Sequence, residues 1–160
     1  YVQRRAQLPV LFDPASRLDR VFLTIQDTTA QYVSLPGGHV AIDVAVPPGI
    51  AYPGVHLSEP WPDWRGRSAL VFDVENTGSE VVGFNLAIRD VEHDWEFTDR
   101  FNHHYDLRPR TRTTIRIPMT DIEHAPRGRL MDLAHMNGVV MFGLRSDRRG
   151  AFRLHAIRLE

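Results

Sequence analysis

The stretch Leu70-Val-Phe-Asp-Val-Glu-Asn-Thr-Gly-Ser-Glu-Val-Val-Gly-Phe-Asn-Leu-Ala-Ile-Arg89 decides the fold. Leu70, Phe72 and Val74 point to one side while Val71, Asp73 and Glu75 point to the other. Val82, Phe84, Leu86 and Ile88 then alternate with Gly83, Asn85, Ala87 and Arg89. A period of two is the signature of an extended strand with one apolar face. Asn76-Thr77-Gly78 supplies turn chemistry between the two runs and predicts a hairpin connection.

The same pattern recurs on both sides. Val40, Ile42, Val44 and Val46 alternate with Ala41, Asp43 and Ala45 until Pro47-Pro48-Gly49 stops them. Further strands are expected over 52–57, 101–107, 139–144 and 151–159, the last with one bulge, and Thr113, Ile115 and Ile117 alternate up to Pro118. Short helical turns are expected within 13–22 and 132–136. Roughly eight or nine strands about ten residues apart, without a long amphipathic helix, predict an all-β antiparallel sandwich or jelly roll. No repeat, low-complexity tract or linker divides residues 1–160, so one domain is expected.

At 160 residues such a domain buries about two-thirds of its unfolded surface and needs no metal or disulfide to be stable. The absence of Cys excludes disulfides, thiolate zinc sites and a Cys nucleophile. The balance of 19 basic and 20 acidic residues argues against nucleic acid as the main partner. Every basic residue is Arg. A GC-rich genome explains that blandly; the functional reading is planar, bidentate contact with carboxylates or rings. No apolar run approaches the ~20 residues of a membrane span, so membrane insertion by this domain is not expected. The chain begins at Tyr1 rather than Met, as expected of a domain excised from a longer protein, with Arg4-Arg5 as a juxtamembrane remnant.

Chemistry concentrates in Arg89-Asp-Val-Glu-His-Asp-Trp-Glu-Phe-Thr-Asp-Arg-Phe-Asn102, which holds neither Gly nor Pro. A connection so dense in charged and aromatic groups binds or braces something. Asp90, Glu92, Asp94, Glu96 and Asp99 offer carboxylates, but proximity in sequence is poor support for a glycosidase pair. No nucleophile elbow or phosphate cradle is present. His103 and His104 are adjacent and face opposite sides of a strand, which prevents them from sharing one ion. A structural calcium clipping the first and last strands fits jelly rolls in general, though no Asp-rich loop of strong calcium type is present.

Sugar binding needs a flat ring for stacking and fixed polar groups for hydroxyls. Trp61, Trp64 and Trp95 fall in predicted loops, with Tyr52 and Phe97 as further rings. Trp64 and Trp95 are stacking candidates, or caps of the sandwich. Asp73, Asn85, Arg89, Asn102 and His104 all lie opposite the apolar faces of their strands, and form one polar surface if those strands are neighbours. The alternative is a solvated outer sheet. Asn is disfavoured on strands, which tilts Asn85 and Asn102 towards a site.

The runs Tyr52-Pro-Gly-Val-His-Leu57, Pro62-Asp-Trp-Arg-Gly66 and Leu70 to Asn76 resemble the opening half of bacterial carbohydrate-binding-like domains. The middle, from Arg89 and Asp90 through His93, Phe97 and Asp99 to Asn102, is similar to their Asp-x-x-His-Asn-x-x-Tyr-x-Asp-Arg-Phe-Asn pattern. Thr114-Ile-Arg-Ile-Pro118, Asp121-Ile122, Ala125-Pro-Arg-Gly-Arg-Leu-Met-Asp-Leu133 and Ile157-Arg-Leu159 fit its second half. The resemblance is to galactose-binding-like jelly rolls, near family-11 carbohydrate-binding modules and the complex I intermediate-associated protein family. It implies glycan binding without catalysis, in modules appended to larger exported or membrane proteins. Two departures matter. His155-Ala156 stands where the group carries Asp-Asp or Asp-Asn, which puts a structural calcium in doubt. Asp94 and Phe97 replace the pattern's Asn and Tyr.

The resulting expectation is a non-enzymatic module, extracellular, periplasmic or cell-surface, that recognises a poly- or oligosaccharide. Asp90, His93, Asp99, Arg100 and Asn102 form its polar network, with Trp95 or Trp64 as platform; Asp99 and Arg100 pairing with each other is the structural alternative. The competing function is protein interaction or assembly on the same fold.

Overall fold

The computed structural model describes residues 6–144 and 146–160; the Arg4-Arg5 pair lies outside them. Eleven strands run in order: β1 (Val10–Phe12), β2 (Leu23–Gln26), β3 (Ala30–Ser34), β4 (Val40–Val46), β5 (Gly54–Ser58), β6 (Ala69–Asn76), β7 (Val82–Asp90), β8 (Phe101–Leu107), β9 (Thr111–Pro118), β10 (Met136–Phe142) and β11 (Gly150–Leu159). Two short helices interrupt them, α1 (Arg17–Val21), capped by the Ser16 hydroxyl, and α2 (Met119–Glu123). One sheet has the order β3-β4-β11-β6-β9, with β1 also on β11; the other is β2-β5-β10-β7-β8. All pairings are antiparallel. The two sheets pack as a sandwich, as expected of a jelly roll.

The core fills with the inward parity of each strand. Phe72 of β6, Phe84 of β7 and Phe152 of β11 meet edge to face, with centroids 6.3 and 5.1 Å apart, an arrangement that adds to the burial of their rings. Phe12, Ile42, Leu57, Leu70, Ile88 and Ile157 are fully buried around them.

The expected hairpin between β6 and β7 does not form. Residues 77–81 cross from one sheet to the other, and each strand finds its partners elsewhere. Alternation reports that a strand has one buried face; it does not say which strand lies beside it. Buried Asn76 makes the crossing, donating to the carbonyls of Glu80 (2.7 Å) and Leu107 (3.0 Å) while its Oδ1 accepts from Gly78 N (2.9 Å). The helical turn expected at 132–136 is a non-helical turn, and the helix forms at 119–123 instead. The bulge expected in β11 is present, opposite β6 between Leu154 and Ala156. β1, β2 and β3 have no counterpart among the expected strands.

Candidate binding groove

The register of the five-stranded sheet places Gln26, Gly54, Phe142, Asn85 and His104 in one row across its outer face. The next row holds Thr24, His56, Val140, Ala87 and Asn102, and Arg89 lies beyond it opposite Gly138. Over this floor lies an open groove of ≈ 790 Å³, walled by Tyr52, Trp95, Phe97 and Arg100. Asn85, Arg89, Asn102 and His104 therefore share one surface, as their parity implies. Asp73 does not join them. It lies on β6 in the other sheet, where Arg112 grips it through Nε (2.8 Å) and Nη2 (2.7 Å).

The floor is a chain of fixed polar groups. His104 Nδ1 donates to Asn85 Oδ1 (2.7 Å), and Asn85 Nδ2 donates to the Phe142 carbonyl (3.1 Å). Arg100 Nε donates to Asn102 Oδ1 (2.7 Å), and Asn102 Nδ2 to the Phe97 carbonyl (2.8 Å). Arg89 Nη2 donates to His56 Nε2 at 3.2 Å, which fixes His56 as a neutral acceptor at that nitrogen. Burial lowers the His56 pKa, and the Arg89 charge lowers it further.

The dense loop splits into an inside and an outside. Inside, Asp90 and Asp99 converge on Arg129, which sequence reasoning missed. Arg129 reaches Asp90 through Nη1 (2.7 Å) and Nη2 (2.9 Å), and Asp99 through Nε (2.6 Å) and Nη2 (3.1 Å). Asp90, 0% exposed, also accepts from Asp132 N at 2.7 Å. Burial raises its carboxyl pKa, and these donors outweigh that, leaving it below the ordinary value. Asp99 is held down to about 2, chiefly by the Arg129 hydrogen bonds. Its partner is thus Arg129 and not Arg100. His93 Nδ1 donates to the Asp99 carbonyl (2.9 Å), with its side chain only 3% exposed. A cation among so many carboxylates was the missing signal: Arg129 sits in the 125–133 run that carried the family resemblance.

Outside, Trp95 is 76% exposed and Phe97 65%. The Arg89 guanidinium lies 4.9 Å from the Trp95 ring centroid, and that of Arg100 lies 5.3 Å from Phe97. Trp95 has φ of 71°, a left-handed conformation that is costly for a bulky residue. Asp94 Oδ1, accepting from Glu96 N (2.9 Å), and the His93 ring, 5.4 Å from the indole, help hold it there. Trp64 has no such role. It is 0% exposed, with Nε1 donating to the Trp61 carbonyl (2.6 Å), and belongs to the core.

His93, Asp94 and Asp99 bring possible metal-ligand atoms within 4.8 Å of one another. The donor set fits a divalent ion poorly, because both Asp99 oxygens already receive Arg129 and one also receives Asp94 N (2.9 Å). An ion here would compete with a guanidinium. At the end of the chain, His155 Nε2 pairs with Glu75 Oε1 at 2.8 Å, across the sheet.

No family model and no curated protein sequence matches this chain. Solved structures share its fold. An exo-β-agarase superposes with a TM-score of 0.75 at 14% identity, over 94% of this chain and 24% of the agarase. A family 11 carbohydrate-binding module from Clostridium thermocellum, in complex with a β-1,3-1,4-mixed-linked tetrasaccharide, gives 0.68 at 19% identity over 94% of both chains. A family 30 carbohydrate-binding module of a cellulosomal cellulase from the same organism gives 0.55 at 14% identity, over 87% and 86%. The chain spans about a quarter of the agarase and nearly all of each module. At these identities the likeness establishes the sandwich and nothing finer.

Proposed function

We propose that residues 1–160 form a non-catalytic carbohydrate-binding module, part of a longer exported or cell-surface protein, that holds a poly- or oligosaccharide in the groove of the five-stranded sheet. The observation that carries this reading is the pairing of exposed rings with a fixed polar floor. Trp95, Phe97 and Tyr52 offer apolar faces to pyranose rings, while Asn85, Asn102 and His104 are already oriented by hydrogen bonds to receive hydroxyls. Groups fixed before binding lose little freedom on complex formation. Asp90, His93 and Asp99 serve as the brace behind this surface. The groove lining contains no Asp or Glu among the described residues, which gives the two-carboxylate hydrolysis scheme no acid to use there. Two of the matched folds are themselves carbohydrate-binding modules, which supports the reading by analogy.

The test is titration of the folded chain with a panel of soluble polysaccharides and oligosaccharides, with and without calcium, followed by Trp fluorescence. Saturable quenching by one glycan class is expected, with calcium without effect. Silence across the panel would overturn the reading and favour a protein-interaction role for the exposed rings.

A further inference from the structure

The charges of the groove carry the reading further. Its lining holds Arg89 and Arg100, with His56, His103 and His104, against no carboxylate among the described residues. Acids stand at its rim: Asp106, 2.8 Å from His104 Nε2, and, in the wall loop, Asp94 and Glu96 on either side of Trp95. The chain as a whole carries a formal net charge of −1, so the excess of Arg89 and Arg100 over carboxylates in this lining is local.

Arg89 is also set in place. Its guanidinium lies between the Trp95 ring and His56 Nε2, at 4.9 and 3.2 Å. Gly138 makes the space: a Cβ there would stand 2.8 Å from Arg89 Nε and 3.1 Å from His56 Nε2. Arg100 is oriented by Asn102 and the Phe97 ring, and neither arginine has a carboxylate partner among the described residues. Burial lowers the Arg89 pKa, and the charge of Arg100, next to it where Ile88 pairs with Phe101, lowers it further, so the two cations repel. An anion between them relieves that repulsion, and a guanidinium presents paired N–H groups that match a carboxylate or sulfate.

We infer that the groove takes an acidic glycan, one whose carboxylate or sulfate groups are received by Arg89 and Arg100; this rests on the groove being the saccharide site. Isothermal titration at low and high salt would compare a uronate oligosaccharide, a sulfated galactan oligosaccharide and a neutral β-1,3-1,4-glucan tetrasaccharide. An acidic ligand should bind about tenfold or more tighter than the neutral one at low salt, and lose that advantage as salt rises. Whether the uronate or the sulfated sugar wins identifies the anion. Arg89→Gln and Arg100→Gln, checked for unchanged melting, should each weaken the acidic ligand far more than the neutral one, so that most of the advantage and its salt dependence disappear. Neutral binding as tight as acidic and independent of salt would overturn the inference and leave the saccharide reading standing. No binding by any of the three, with the panel also silent, would overturn both. The wild-type salt series decides the question even if a variant fails to fold.

Discussion

The outer faces of the two sheets use arginine to opposite ends. On the six-stranded sheet Arg153 holds Asp43 (2.7 and 3.0 Å), Arg112 holds Asp73, Arg116 holds Glu160 (2.9 Å) and His155 holds Glu75. Three of these pairs join neighbouring strands and Arg116 reaches past β6 to Glu160, so each of these bases has a carboxylate partner. On the five-stranded sheet Arg89 and Arg100 lean on rings, an imidazole and an amide instead. The first face is a solvated surface; the second retains unspent hydrogen-bonding capacity and exposed rings. What separates them is what stands beside each arginine: carboxylates on the first face, rings, an imidazole and an amide on the second.

The largest effect is expected where neither face is touched. Replacing Arg129 by Met strips the counter-charge from fully buried Asp90 and from Asp99 together. Breaking a buried pair by removing one partner costs about 3–5 kcal/mol, so the variant should melt far lower or fail to fold. A variant that melts like wild type would mean the dense loop is not braced and would dissolve its division into inside and outside. Trp95→Ala comes next. A large ring at the centre of a binding surface contributes about 2 kcal/mol or more, so glycan affinity should fall roughly thirtyfold. Melting should stay unchanged, because the ring is exposed and its left-handed backbone is no worse for Ala. Equal losses of affinity and stability would make Trp95 part of the fold instead.

Acid separates the brace from the groove in another way. Asp99 is held down to about 2 from an ordinary 3.8, so it favours the native state fully above about pH 4. That contribution is lost as pH falls towards about 2, because the unfolded chain takes up its proton first. Asp90, also lowered, adds to the same slope. Thermal melts between pH 5 and about 2 should show stability falling steeply in wild type and more gently in Asp99→Asn. Parallel profiles would remove Asp99 from the brace.

The sandwich was legible because parity is written directly in the strands: the inward set of β6, β7 and β11 is buried as the alternation requires. The same parity placed Asn85, Arg89, Asn102 and His104 on one face. What parity cannot carry is neighbourhood. Asp73 obeys the same rule as Asn85 and ends on the opposite sheet, because the turn after Asn76 arches over the core. His56 was readable in principle, pointing outward between Val55 and Leu57, yet its partner Arg89 is 33 residues away. Arg129 is 39 residues from Asp90 and 30 from Asp99, and only folding reveals that one guanidinium serves both. For Trp64 the capping alternative holds, because a Trp in a loop lies in the core if that loop closes the end of the sandwich.

The smallest effect tests the face of paired charges. Arg112→Gln removes one cation from a pair whose Arg side chain is 56% exposed, and Arg153→Gln one from a partly buried pair, 20% exposed at the Arg. Exposed ion pairs contribute well under about 1 kcal/mol after side-chain ordering and salt screening. Melting should therefore shift slightly and glycan binding should not move. If Arg112→Gln weakened an acidic glycan as much as Arg89→Gln, attraction by overall surface charge would explain both, and the groove would have no special claim. If it leaves binding intact while Arg89→Gln abolishes the acidic preference, recognition depends on where a guanidinium stands and on its lack of a carboxylate partner.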